Sequence, residues 1–267
     1  MQHSHGKKVL SRFMENLATA PSSILLLDYD GILAPFHVER HLAYPYPGVV
    51  PALKSILGTV SARVAIVTGR PAVEIGPLLG PLDRIEVWGS HGLEHLMADG
   101  TCRKLPIDPK VSALLSRAGT LLTKAGLTRT VETKPGGIAV HWRGLLADEC
   151  VAVRMHAQSV FAPFADQPGL KQLAFEEGIE LRVEHPNKGD VVRSVLDASD
   201  DTKQVAFLGD DLTDEDAFRA LNRRGLSVLV RPKYRETQAD IWIEPLDGLL
   251  DFLRQWRDAV SRPYKLD

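Results

Sequence analysis

Asp28 and Asp30 stand at the end of the apolar run Ile24-Leu25-Leu26-Leu27. Asp210 and Asp211 end a second run, Gln204-Val205-Ala206-Phe207-Leu208-Gly209, and Asp214 follows them. A third run, Arg63-Val64-Ala65-Ile66-Val67, ends in Thr68-Gly69-Arg70. Carboxylates gathered in one crevice repel one another, so such a cluster calls for a divalent cation. Oxygen ligands favour Mg²⁺, which keeps waters and bridges to phosphate. A carboxylate beside that ion can attack phosphorus and become an aspartyl-phosphate. A second carboxylate two residues away can protonate the leaving alcohol and later deprotonate the water that hydrolyses the intermediate. Thr68 and Gly69 offer a hydroxyl and an open backbone N–H to phosphate oxygens, ahead of a helix N-terminus. Lys188, in Pro186-Asn187-Lys188-Gly189, would neutralise the remaining charge on the transferring group.

These residues come together only if the runs are neighbouring strands. The runs at 24–27, 63–67, 85–88 and 204–208 read as buried parallel strands. Helical patterns over 49–57, after Pro71, and over 189–198, 214–221 and 246–260 alternate with them, and short strands follow at 226–230 and 240–243. That alternation predicts a doubly wound α/β sheet, whose ligand crevice lies at the carboxyl ends of its strands. Between about 103 and 186 the order changes to helix (109–125), hairpin (130–134 and 138–142), helix (147–161), hairpin (170–175 and 179–184). This predicts an α+β cap inserted between the two parts of the core, 1–102 and 187–267.

LLLDYDGILAP, VAIVTGR, NKG and LGDDLTDEDAF resemble, in chain order, the four signature segments of the haloacid-dehalogenase-like phosphatases. The resemblance implies a Rossmann-like core with Asp28 as nucleophile and Asp30 as general acid/base. It implies that Thr68, Gly69, Arg70 and Lys188 bind phosphate. It also implies that Mg²⁺ is held by Asp28, Asp210 and the backbone carbonyl of Asp30, with Asp214 on the ion or just behind it. Ile32 stands where that superfamily usually has Thr or Val.

Gly89-Ser90-His91-Gly92-Leu93-Glu94, Glu132-Thr133-Lys134, Ala139-Val140-His141-Trp142-Arg143 and Glu180-Leu181-Arg182 resemble the trehalose-6-phosphate phosphatases within the superfamily. The resemblance covers nearly everything beyond about residue 20. It implies that Glu132, Lys134 and Glu180 contact the distal glucose of trehalose 6-phosphate. His91, His141 and Arg143 are further candidate substrate contacts, against shaping the loop for His91, a structural hydrogen bond for His141 and a carboxylate pair at the domain boundary for Arg143. The residues by themselves agree: Glu132 and Lys134 alternate to one face of a strand, where carboxylate and ammonium can bind adjacent sugar hydroxyls. Glu176 or Glu177 falls where the family commonly has Lys, and Val183 where it usually has Pro.

Bulk properties narrow the class. With 32 Lys plus Arg against 34 Asp plus Glu, the 267-residue chain carries a formal charge of -2, which gives no global pull toward nucleic acid or anionic membrane. Cys102 and Cys150 lack the spacing of a zinc site or disulfide framework, and two free thiols suit a reducing cytoplasm. No segment reaches the ~18 apolar residues of a membrane span. The start, MQHSHGKK, lacks an apolar run behind its charges, so it is not expected to be a secretory signal; a disordered start is expected, with His3 and His5 in it. The expected partner is a small sugar phosphate and the expected state a monomer.

Overall fold

The computed structural model describes residues 2–82, 84–175, 177–198 and 202–261. Strand β1 (Ser23–Leu27) is wholly buried. Leu25 and Leu27 pack on one face and Ile24 and Leu26 on the other, which is why this strand reads as a continuous apolar run. Beside it lie β2 (Ala62–Val67) and β10 (Gln204–Gly209), both parallel to it. The sheet extends through β3 (Glu86–Gly89) on one side and through β11 (Leu226–Val230) and β12 (Ile241–Ile243) on the other, all parallel.

Helices α1 (Gln2–Thr19), α2 (Val49–Leu57), α3 (Ile75–Leu79) and α8 (Asp247–Val260) cover one face. Helices α6 (Lys188–Asp197) and α7 (Glu215–Leu221) cover the other. The doubly wound reading therefore holds.

Three features depart from expectation. The start is helical rather than disordered: α1 packs Phe13, Met14 and Leu17 into the core beside Trp256 of α8. Its apolar positions follow helical spacing, but the polar HSHGKK stretch dilutes the pattern. The side chains of His3 and His5 lie outside the described residues. Pro71 does not open a helix directly; its backbone is extended (ψ 137°), and a 3-10 turn over Ala72–Glu74 precedes the short α3. Ala72 N–H donates to Glu94 Oε2 at 3.0 Å, which ties this loop to the next strand. Finally, the Asp99-Gly100 turn joins two short strands, β4 (Glu94–Leu96) and β5 (Cys102–Lys104). They continue the large sheet, β4 antiparallel to β3 and β5 antiparallel to β4. Both are too short and polar to show alternation.

A second, antiparallel sheet has the order β6 (Val131–Lys134), β7 (Gly137–His141), β9 (Gly178–Val183), β8 (Leu170–Phe175). Ile138, Val140, Ile179, Leu181 and Val183 pack against α4 (Pro109–Lys124) and α5 (Ala147–Ala165). The alternate residues face the other way. Register places Glu132 opposite Ala139 and Ala139 opposite Glu180, so two carboxylates flank one small residue in a single row. The next row holds Lys134, Gly137 and Arg182. Among the described residues, no helix is long and apolar enough to cross a membrane.

Candidate active site

A cleft of about 880 Å³ opens at the carboxyl ends of β1, β2 and β10, and the small sheet forms its far wall. Asp28, Asp30, Thr68, Gly69, Arg70, Lys188 and Asp210 line one side; Glu132, Lys134, His141, Arg143 and Glu180 line the other, and His91 sits at their junction. All the sequence-expected site residues except Asp214 therefore share one cavity.

Asp214 is fully buried beneath it. Its Oδ1 accepts from Lys188 Nζ at 2.7 Å, and its Oδ2 accepts from the N–H groups of Asp210 and Asp211 at 2.9 and 3.0 Å. With both oxygens engaged, Asp214 is suited to shaping the acidic loop. Lys188 also reaches Asp28 Oδ2 at 2.6 Å. It is the first residue of α6, whose start is held by a reciprocal cap: Asn187 Oδ1 accepts from Asp190 N–H at 3.1 Å, and Asp190 Oδ2 accepts from Asn187 N–H at 2.8 Å.

Burial pushes the Asp28 carboxyl up to about 7, against the pull of the Lys188 charge. Burial, with the Asp214 and Asp28 charges added, pushes Asp210 well above the usual carboxylate range. Lys188 is raised because Asp214 and Asp28 outweigh its own desolvation. Asp28, Asp210 and Asp214 each bring a carboxylate oxygen within 4.8 Å of the others, and Asp210 Oδ1 is buried without a hydrogen-bond partner. Crowded, desolvated carboxylates with an orphaned oxygen fit a divalent cation. Gly31 makes the crowding possible: at φ 79° it lies against the Asp210 carboxylate where a Cβ would collide. Ile32 is fully buried in the core, which accounts for an aliphatic residue there.

Arg70 lines the cleft with its guanidinium already engaged. Its Nε and Nη2 both grip Asp30 at 2.7 Å, and its Nη1 donates to the Arg40 carbonyl at 2.8 Å. In this geometry it holds Asp30 through a bidentate pair. Thr68 Oγ1 accepts from Arg70 N–H at 3.1 Å. Ser90 and His91 take left-handed backbone (φ 49° and 57°) and donate their N–H groups to the carbonyls of Arg70 and Thr68 at 2.7 and 2.9 Å. A Cβ on Gly69 would strike the His91 ring, so glycine lets these two loops interlock.

On the far wall, Lys134 Nζ lies 2.8 Å from Glu180 Oε1, and His91 Nε2 lies 3.3 Å from Glu180 Oε2. Burial alone would raise Glu180; the Lys134 and His91 contacts outweigh it and hold the group well below its usual range. Burial pushes His91 down to about 3, so its ring is neutral. Glu132 accepts a 2.7 Å hydrogen bond from His141 and pairs with Arg40; these contacts and Lys134 overcome its burial and hold it at about 2. Arg143 reaches Glu177 at 2.6 Å and stacks over Phe36 at 4.4 Å. Glu176 lies outside the described residues. Val183 is buried in the core of the small unit.

Sequence reasoning missed Arg40, Arg231 and Arg235. Arg231 Nη1 donates to the Asp210 carbonyl at 3.0 Å and Arg235 Nη2 to the Asp211 carbonyl at 2.8 Å, bracing the acidic loop from behind. No local motif marks them, because Arg231 and Arg235 act on backbone carbonyls more than twenty residues away and Arg40 acts on the distant carboxylates of Glu74 and Glu132.

The trehalose-phosphatase profile matches residues 26–241, which takes in every element that lines the cleft. The chain belongs to the trehalose-phosphatase family. The trehalose-phosphate phosphatase of Mycobacterium marinum is 31% identical over 226 residues, 80% of this chain and 55% of that protein. The Mycobacterium tuberculosis protein of the same name is 28% identical over 217 residues, 78% of this chain and 53% of that protein. This chain therefore spans about half the length of these family relatives. Among solved structures, the C-terminal domain of Candida albicans trehalose-6-phosphate phosphatase superposes with a TM-score of 0.79 at 20% identity, covering 93% of this chain and 96% of that one. A trehalose-6-phosphate phosphatase related protein superposes with a TM-score of 0.66 at 25% identity, covering 87% and 96%. These likenesses agree with a haloacid-dehalogenase-type core.

Proposed function

We propose that this chain hydrolyses trehalose 6-phosphate to trehalose and inorganic phosphate, with Mg²⁺ as its metal. The observation that carries the reading is the meeting, in one cleft, of a buried Asp28–Lys188 pair with a wall of sugar-compatible polar groups. Family membership supports it.

In this reading Asp28 attacks phosphorus, the bond from phosphorus to the sugar oxygen breaks, and an aspartyl-phosphate forms. Asp30 gives its proton to the departing sugar oxygen, then takes one from the water that attacks the intermediate. Arg70 keeps Asp30 in place through both steps. Lys188 shifts its charge from Asp28 to the transferring oxygens, which Thr68 Oγ1 and the Gly69 N–H also receive. Asp28, Asp210 and the Asp30 carbonyl would hold Mg²⁺, with Asp214 fixing their loop; when bound, the ion supplies positive charge against the phosphate. Residues 1–102 and 187–267 serve as the catalytic core. Residues 103–186, less Arg103 and Lys104, which end β5 in the large sheet, serve as a cap whose Glu132, Lys134, His141, Arg143 and Glu180, with His91 of the core, contact the disaccharide. A cap also keeps bulk water from the intermediate until the alcohol has left. We further propose a monomer working in the cytoplasm, in keeping with the unpaired Cys102 and Cys150.

The test is phosphate release from a panel of sugar phosphates, with Mg²⁺ and with chelator, by wild type and Asp28→Asn. Trehalose 6-phosphate should be the best substrate, chelation should abolish release, and Asp28→Asn should lower kcat by about 1,000-fold or more. An Asp28→Asn protein as active as wild type would sink the nucleophile assignment. Faster turnover of another glycoside phosphate would move the substrate.

A further inference from the structure

Arg40 begins a single 3-10 turn, Arg40–Leu42, on the segment between β1 and α2, and no motif marks it. Its Nη2 donates to Glu74 Oε2 at 2.9 Å, while its Nη1 pairs with Glu132 on β6 across the cleft. Its carbonyl accepts from Arg70 Nη1 at 2.8 Å, and the other two nitrogens of Arg70 grip Asp30. One residue thus completes an unbroken polar line of Asp30, Arg70, Arg40, Glu132 and His141, running from the large sheet to the small one. The segment is also fastened at its far end, where Tyr29 Oη donates to the Ala43 carbonyl at 2.8 Å. Arg143 stacks over Phe36 of the same segment.

We propose that Arg40 is a specificity-determining residue: it presents Glu132 to the sugar and makes the seating of the sugar and the orientation of Asp30 interdependent. The assignment rests on the sugar-phosphate reading above. A carboxylate accepts from sugar hydroxyls and a guanidinium beside it donates to their oxygens, so the pair can read neighbouring hydroxyls that neither reads alone. Without Arg40, Glu132 keeps His141 and the more distant Lys134 charge but loses its tie to the large sheet. The loss bears most on substrates long enough to reach Glu132.

The test compares kcat/KM for trehalose 6-phosphate and for p-nitrophenyl phosphate, whose small leaving group does not span the cleft. The proteins are wild type, Arg40→Gln, Arg40→Lys, Glu132→Gln and the double variant Arg40→Gln/Glu132→Gln. Arg40→Gln should lower kcat/KM for the disaccharide phosphate by about 10- to 100-fold and cut its advantage over the aryl phosphate by at least about tenfold. Arg40→Lys should restore only part of that advantage, since a point charge replaces a planar fork. The double variant should fall no more than about threefold below the worse single variant, because the two side chains act as one unit. An advantage unchanged in Arg40→Gln, or single effects that simply multiply in the double variant, would overturn the assignment. Should Arg40→Gln fail to fold, Arg40→Lys carries the same comparison of substrates. A wild type without preference for the disaccharide phosphate would overturn the functional reading and this assignment with it; a wild-type preference that survives in the Arg40 variants overturns this assignment alone.

Discussion

Asp30 and His91 show how strongly neighbours decide what a side chain does. Asp30 is expected to move a proton in both chemical steps, so Asp30→Asn should slow formation and breakdown of the phospho-enzyme alike, by about 100-fold or more. Single-turnover kinetics separate the two steps, and a defect confined to one of them would contradict the dual role. His91 makes a prediction about stability. Burial holds it down to about 3 in the folded protein, against an ordinary value of 6.5. Below pH 6.5 the unfolded chain takes up a proton that the folded chain refuses, so His91 costs stability progressively as pH falls from 6.5 toward about 3. Asp28 acts in the opposite sense. Raised to about 7 from 3.8, it binds its proton first in the folded state and adds stability over that window as pH falls. The measurement must therefore be a difference. Relative to wild type, His91→Gln should gain about 2 kcal/mol between pH 7 and pH 5 in denaturant titrations. An unchanged difference would mean that the ring is protonated in the fold. The type and position of both residues were legible in the sequence. Their partners were not, because Arg70 and Glu180 arrive from other loops and strands.

The helix start at Asn187 is the element that delivers Lys188. Asn187→Ala removes one half of the reciprocal cap and should cost about 1 kcal/mol in chemical denaturation, whereas Asn187→Gly should cost only a few tenths. Equal losses from the two variants would show that the side-chain cap carries no weight here. Most elements were readable in sequence: α2 and β8 have the bounds their patterns suggest, and β1, β2, β10 and β11 lie within a residue or so of theirs. The exceptions have physical causes. β4 and β5 are three-residue strands on the sheet's edge, too short for a period-2 signal. The apolar stripe of α1 is masked by its polar first turns, and tertiary packing on α8 stabilises what propensity alone leaves marginal.

At the scale of the whole molecule, the acidic crevice stores an electrostatic cost that a cation relieves. Asp28 and Asp210 are buried and raised, so Mg²⁺ should stabilise the fold directly. At about 100 times its dissociation constant the ion should add about 2.7 kcal/mol, seen as a higher melting temperature that chelator reverses. Asp210→Asn should shrink that gain, and a melting temperature indifferent to Mg²⁺ in wild type would argue against the site. The same scale explains the shape of the cleft. In the proposed reading core loops supply the phosphate side and the small sheet the sugar side, and both line the one cleft.

The sequence by itself determined where the acidic groups gather: apolar runs ending in Asp28, Thr68 and Asp210 specify neighbouring parallel strands whose carboxyl ends meet. It also determined that Glu132, Lys134 and Glu180 belong to strands of an inserted unit. Tertiary structure alone decided which charges these groups face. Strand register put Glu132 and Glu180 in one row across Ala139. Loop packing turned Arg70 onto Asp30 and brought Arg40 across the cleft to Glu132. Such pairings join residues far apart in the chain, and local patterns of residue type carry no information about distances in space.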